Sequence, residues 1–111
     1  MIKLISGLSV VSALLAAGAG VAAADVRTTV DAHSNVRGGP YLKAQFILAT
    51  KRVTSMNVEC FERGDQFDDG RVNTDVWYAG TVYADGGNRY GYVWGGSVNT
   101  AQDPPPGLRY C

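Results

Sequence analysis

The chain has 111 residues with ten basic and ten acidic side chains and a single histidine, so its formal net charge is zero at neutral pH. A near-neutral chain with scattered charges offers no basic surface for nucleic acid and no cationic stripe for an anionic membrane. We therefore expect neither class of partner.

The first 24 residues have the pattern of a secretory signal peptide. Met1-Ile2-Lys3 is a short basic segment, Leu4 to Val21 carries no charge, and Ala22-Ala23-Ala24 matches an A-x-A cleavage signature. Because the cleavage signature directly follows a run of small residues, the pattern favours a cleaved signal over a membrane anchor. We expect a mature protein of residues 25–111 that is secreted, either extracellular or associated with the cell wall, and makes no membrane contact after cleavage.

The mature chain is long enough for one small domain, and a domain of this size often carries a covalent staple. Its two cysteines are Cys60 and Cys111, and in an oxidising compartment we expect them to form one intramolecular disulfide. Such a bond closes a loop of about fifty residues and contributes about 4 kcal/mol in the chain-entropy model. The alternatives are an intermolecular disulfide and a free reactive thiol.

The first half of the mature chain reads as short strands separated by turns. Residues 25–33 begin with a β-branched run and form either a first strand or an N-terminal arm. A brief strand at Asn35–Arg37 runs into a turn at Gly38-Gly39-Pro40, and Tyr41–Thr50 contains the apolar run of a buried strand. In Val53–Cys60 the alternation predicts a strand with one buried face; that face holds Met56, Val58 and Cys60.

The segment Phe61–Thr74 is polar and contains two glycines, so we expect a loop. An aromatic hairpin follows, with arms Val76–Tyr83 and Arg89–Trp94 and a turn at residues 85–88. One face of the hairpin is aromatic and the other aliphatic. We expect one of them to line the core and the other to be covered or used, and the pattern leaves open which is which. The aromatic face carries Trp77, Ala79 and Thr81 from the first arm and Tyr90, Tyr92 and Trp94 from the second.

Residues 95–99 form a turn into a last short strand, and residues 100–111 form a proline-rich tail that ends in the disulfide. No segment of the mature chain has the periodicity of an amphipathic helix. About five short strands with glycine-rich turns predict an all-β fold, a small and partly open barrel.

Several motifs in this order resemble those of bacterial SH3 domains (SH3b). Asn35-Val36-Arg37-Gly38-Gly39-Pro40 resembles the family's N-V-R-x-G-P opening, Trp77-Tyr78 its W-Y strand, and Gly91-Tyr92-Val93 its G-[YW]-V strand. The resemblance covers about Ser34 to Cys111. It implies a small SH3-like barrel, and because the family is known chiefly as cell-wall targeting modules, it implies a non-enzymatic module that binds peptidoglycan.

The resemblance also implies where a ligand would bind. The family's ligand groove corresponds here to Trp77, Tyr92 and Trp94, with Tyr41 closing the groove and Asn35 supplying polar contacts. Stacked aromatic rings suit extended peptides and glycans. The alternative for these rings is that they only cap the core of a small barrel.

We therefore expect a monomeric secreted module that binds peptidoglycan peptide or another extended ligand and needs no cofactor. The alternative is a protein-interaction or inhibitor domain that docks an extracellular protein and has no cell-wall ligand. Enzymatic activity is not expected, because the sequence shows no clustered nucleophile and base.

The remaining reactive side chains do not form a recognisable catalytic or metal motif. His33 has no metal-ligating or catalytic partner at a characteristic spacing. Asp65 to Gly70 superficially resembles a calcium loop, but Phe67 and Val76 stand where ligands are required. Glu59 and Glu62 have no features of a glycosidase pair. We expect no metal site.

Overall fold

The computed structural model describes residues 24–111, so the predicted signal peptide, apart from its last residue, lies outside the described residues. The described chain contains six β-strands and one short 3₁₀ turn, with no α-helix. In chain order they are β1 (Val26–Val30), β2 (Asn35–Arg37), β3 (Phe46–Ala49), β4 (Thr54–Asp68), β5 (Asn73–Ala84), β6 (Gly87–Trp94) and the 3₁₀ turn (Gly95–Ser97).

All six strands belong to one antiparallel sheet with the order β1-β4-β5-β6-β2-β3. The sheet does not close on itself. The predicted all-β class and partly open barrel are confirmed at this level, with six strands instead of about five. Two strands are long: β4 has 15 residues and β5 has 12.

The core lies on the aliphatic face of the β5–β6 hairpin. Tyr78, Val82 and Val93 are fully buried there. They pack with valines of β1 and β2, with Met56 of β4, and with Leu108 of the C-terminal tail. The period-2 alternation of the sequence separates the two faces of the hairpin but leaves open which one is inside, and the structure buries the aliphatic face.

A β-bulge at Glu59 changes the phase of β4. Val58 lies opposite Gly80, but Cys60 lies opposite Ala79 on the other face of the sheet. Met56 and Val58 line the core as predicted, whereas the expectation that Cys60 shares their face is wrong. The bulge places Cys60 on the outer face, and Phe61 instead packs against the core.

The predicted loop at Phe61–Thr74 is wrong over most of its length. Strand β4 continues to Asp68 and pairs again with β5 through Phe67 and Thr74. The turn is confined to residues 69–72, where the Asp69 carboxylate accepts hydrogen bonds from the main-chain N–H groups of Arg71 (2.8 Å) and Val72 (2.7 Å). Polar residues are tolerated in these strands because this end of the hairpin extends beyond the core.

The β5–β6 turn is also shorter than predicted. It consists of Asp85 and Gly86 alone, since Ala84 already pairs with Gly87. Gly87 has a φ of +127°, a conformation that side-chain-bearing residues rarely adopt.

One edge of β4 pairs with β5. Three segments cover its other edge in succession. Strand β1 pairs with Thr54–Val58, so residues 25–33 contribute a strand to the sheet. The tail follows, where Phe61 donates to the Arg109 carbonyl (3.1 Å) and accepts from the Cys111 N–H (2.8 Å). Beyond it, the Asp65 N–H donates to the Pro40 carbonyl (3.0 Å). The edge is thereby protected from pairing with other chains.

The Cys60–Cys111 disulfide is present, with an S–S distance of 2.04 Å, and this prediction is confirmed. It joins the outer face of β4 to the last residue of the tail. The proline-rich segment is therefore part of the fold, and its Leu108 reaches the core. The predicted last strand after residue 95 is reduced to an isolated bridge between Val98 and Val30.

Candidate functional site

Trp77, Tyr90, Tyr92 and Trp94 lie on one face of the hairpin, as predicted, whereas Tyr78 lies on the core face. Trp77 is directly opposite Trp94, and Tyr92 is opposite Ala79. Val93 points the other way and is fully buried in the core. This outer face is the starting point for the site.

The distal part of the β4–β5 hairpin bends back over the two tryptophans. The register shifts between Arg63 and Phe67, and the Phe67 ring then meets the Trp94 ring edge-on at a centroid distance of 5.0 Å. Trp77 is consequently only 1% exposed, and its indole N–H donates to the Asp65 carbonyl at 2.9 Å. The Trp94 N–H donates to the Thr74 carbonyl at 2.9 Å. Both indole N–H groups are therefore already hydrogen-bonded within the protein, and the tryptophans offer only ring surface to a ligand.

Gly96 permits the burial of Trp94. A Cβ atom at this glycine would lie 2.1 Å from the indole ring. The 3₁₀ turn that follows β6 therefore packs flat against the ring, and no larger residue fits there without moving the tryptophan.

A cleft of about 230 Å³ opens between the bent hairpin and β2. Both elements of the expected groove, the tryptophan strands and the opening motif, contribute to it. We call it the aromatic cleft; it is lined by His33, Ser34, Asn35, Arg37, Leu42, Phe67, Asp69, Trp77, Trp94 and Ser97.

The accessible apolar surface of the aromatic cleft comes mainly from Phe67 and Leu42, which are 41% and 39% exposed. The tryptophans lie deeper and form its floor. Leu42 is held in place because its main-chain N–H donates to the Asp65 carboxylate at 2.9 Å. An apolar group that entered the cleft would therefore contact Leu42 from the loop after β2 and Phe67 from β4.

Two opposite charges stand at the same cleft. Arg37 projects from β2, and its guanidinium donates to the Ala44 carbonyl at 3.0 Å. Asp69 sits at the hairpin turn, where the main-chain N–H groups of Val72 and Arg71 hold the pKa of its carboxyl below the usual value. The Asp69 carboxylate is therefore ionised at neutral pH, and the cleft presents both a cation and an anion.

Tyr41 and Tyr92 do not line the aromatic cleft. Tyr92 donates its hydroxyl to Glu62 at 3.0 Å, and burial together with that carboxylate raises the pKa of the phenol. Tyr41 is 52% exposed on the surface after the Gly-Gly-Pro turn. The five predicted ligand residues are therefore divided: Asn35, Trp77 and Trp94 come together in the cleft, and the two tyrosines lie outside it.

Sequence reasoning missed Phe67, Leu42, Arg37 and Asp69 as cleft residues. Phe67 gave one usable signal, because an aromatic residue in the middle of a largely polar segment needs an apolar partner. The others had no local signal, since their positions depend on how the distal hairpin bends.

The conformation of His33 is unusual, with a φ of +62°. Its main-chain N–H donates to the Thr50 carbonyl at 2.7 Å and so fixes the rim of the aromatic cleft. Within residues 24–111, no group of three or more histidine, cysteine, aspartate or glutamate side chains is placed to hold a metal ion. No helix in this part of the chain is long and apolar enough to cross a membrane.

Comparison of the chain with models of protein families, with curated proteins and with solved structures found no match.

Proposed function

We propose that this chain is a secreted, non-enzymatic binding module of the cell envelope, and that its aromatic cleft holds a short stretch of peptidoglycan peptide. One observation carries the proposal: a single cleft combines exposed apolar side chains, a tryptophan floor, a cation and an anion. Small concave sites of this composition are typical of ligand binding.

The pair of charges favours a peptide with free ends over a neutral glycan. Cell-wall peptides carry both carboxylate and amino groups, and Arg37 and Asp69 offer a partner for each kind. Phe67 and Leu42 offer contact area for an aliphatic side chain. A neutral sugar would leave Arg37 without a counter-charge, since Arg37 is in none of the ion pairs among residues 24–111, whereas Asp69 already pairs with Arg71 at 3.4 Å.

The resemblance of Asn35–Pro40 and of Gly91–Val93 to SH3b motifs supports the same ligand class. Asn35 and Arg37 of the first motif line the cleft directly. The first motif and the cleft therefore point to the same part of the molecule, whereas Gly91–Val93 lies outside the cleft.

Sedimentation of the mature protein with insoluble peptidoglycan tests the proposal. Phe67→Ala and Arg37→Gln should each reduce retention, because they alter the cleft without emptying the core. The matched control is Phe46→Ala, which removes an aromatic ring that is 55% exposed and outside the cleft. Retention that is equal in all four proteins would contradict the assignment of the cleft.

A second candidate is a protein-interaction module. Exposed aromatic rings outside the cleft favour it, namely those of Tyr41, Phe46, Tyr90 and Tyr110. In that case the wall would not retain the protein, and the effect of Phe46→Ala on capture of a partner would exceed that of Phe67→Ala.

A further inference from the structure

A second cleft, of about 270 Å³, lies at the opposite end of β5 from the aromatic cleft. It opens between the connection from β3 to β4 and the turn of the β5–β6 hairpin. We call it the barrel mouth; it is lined by Leu48, Ala49, Thr50, Lys51, Thr54, Ala84, Asp85, Gly86 and Arg89.

The register of the sheet shows that side chains of the inner, core-lining face border this cleft. Arg89 lies opposite Val82, so its side chain is on the inner face together with the core. Leu48 lies opposite the fully buried Val36. Leu48 and Ala84 also pack against the core, so they form an apolar floor. Mouths of β-barrels are a common location for small-ligand sites.

The charges at the barrel mouth do not cancel. Lys51 and Arg89 line it, and next to them Arg52 pairs with Asp85 at 3.1 Å. Lys51 and Arg89 are in none of the ion pairs among residues 24–111. Three cations against one carboxylate leave a local charge of about two positive units, and two exposed cations of this kind attract an anion.

An acidic segment lies away from this cationic end. Residues 59–75, which form the other end of the β4–β5 hairpin, contain six acidic and two basic residues. An anion is therefore attracted to the mouth and repelled from this acidic end of the hairpin.

We propose that the barrel mouth binds a phosphate monoester with a small organic body. Such a group carries a charge of about −1.5 to −2 at neutral pH, which matches the excess at the mouth. Arg89 suits phosphate because its planar guanidinium can form two parallel hydrogen bonds, while Lys51 adds a point charge. The organic body of the ester would pack on the apolar floor formed by Leu48 and Ala84.

This inference does not depend on the proposed binding of peptidoglycan peptide, because the two clefts share no lining residue. Titration of the ¹⁵N-labelled mature protein with glycerol 3-phosphate tests it. Saturable amide shifts are expected at Ala84, Gly86 and Arg89, and their apparent affinity should fall as salt is added. Glycerol should cause none of them, and inorganic phosphate should bind more weakly because it does not contact the floor.

The double variant Lys51→Gln/Arg89→Gln should weaken the binding of glycerol 3-phosphate at least about tenfold, since both charged contacts are removed. The matched control is Lys43→Gln/Arg109→Gln, which removes the same charge from exposed positions outside both clefts. Circular dichroism establishes that both variants fold.

Three results would overturn the inference. They are the absence of saturable shifts at the barrel mouth, equal loss of affinity in the two double variants, and binding of inorganic phosphate as tight as that of the ester.

Discussion

The indole N–H of Trp77 donates a 2.9 Å hydrogen bond to the main-chain carbonyl of Asp65. This bond joins the middle of the sheet to the bent part of the β4–β5 hairpin. It explains why the two tryptophans of the aromatic face are buried, and why the remaining opening is a cleft with a tryptophan floor.

Burial of Trp77 makes it a stability residue. Trp77→Ala should lower the free energy of unfolding by about 3–5 kcal/mol, because it removes a large buried side chain and leaves a cavity. Urea denaturation measures the loss. Tyr90→Ala is the matched control, since Tyr90 lies on the same face but is exposed, and its cost should stay below about 1 kcal/mol. Similar losses in the two variants would contradict the burial described for Trp77.

The disulfide should contribute strongly to stability. Its cysteines are 51 residues apart, and the chain-entropy model assigns about 4 kcal/mol to a loop of that length. Cys60→Ala/Cys111→Ala should therefore lower the melting temperature of the mature protein markedly. Mass spectrometry of the oxidised wild-type protein should show two hydrogens fewer than the reduced chain. An unchanged melting temperature in the double variant would show that the tail stays docked without the bond.

Gly80 should not tolerate a side chain. A Cβ atom there would lie 2.0 Å from the Asn57 carbonyl oxygen of the neighbouring strand, so Gly80→Ala must push β4 and β5 apart. We expect a loss of about 3 kcal/mol or more in the free energy of unfolding. In Gly86→Ala the new Cβ has open space around it, and the change should stay within about 0.5 kcal/mol. Equal stability of the two variants would contradict the close approach at Gly80.

Stability should fall at alkaline pH partly because of Tyr78. Burial, together with its hydroxyl's hydrogen bond to the Asp103 carboxylate, raises the pKa of this phenol above its ordinary value of about 10. The folded state therefore favours the protonated phenol. The stabilisation is complete below pH 10 and is lost as the pH rises from there towards the folded-state pKa.

Tyr78→Phe tests this pH dependence. Urea denaturation across pH 8–11 should show a shallower decline in the variant than in the wild type. A decline should remain, because burial and neighbouring carboxylates also raise the pKa of Tyr90 and Tyr92. An identical slope in variant and wild type would show that Tyr78 does not titrate with folding.

The sequence predicts the parts of the fold that depend on local alternation. A period of two places Val82 and Val93 on the face opposite Trp77 and Trp94, but it does not decide which face is buried; the structure buries the face of the two valines. The pairing of Cys60 with Cys111 also follows from the sequence, since these are the two cysteines of the chain. The phase change at Glu59 was missed, because no residue type marks a bulge of this kind.

The candidate site was harder to predict because long-range geometry builds it. Asn35 and Trp94 were found from motifs, but the burial of Trp77 depends on the bend between Arg63 and Phe67. The same bend brings Phe67 to the cleft from a segment that looked like a loop. A polar strand that extends beyond the core has no hydrophobic alternation, and its pairing with β5 is therefore invisible to pattern analysis.

The most direct test of the proposed function is an NMR titration of the mature protein with a soluble peptidoglycan stem peptide. The chain has two tryptophans, so the two indole N–H signals report on the floor of the cleft. We expect saturable shifts of the Trp94 indole signal and of the amides of Asn35, Asp69 and Ser97, and loss of these shifts in Phe67→Ala. Saturable shifts elsewhere, with none at these four residues, or no saturable shifts at all, would contradict the account.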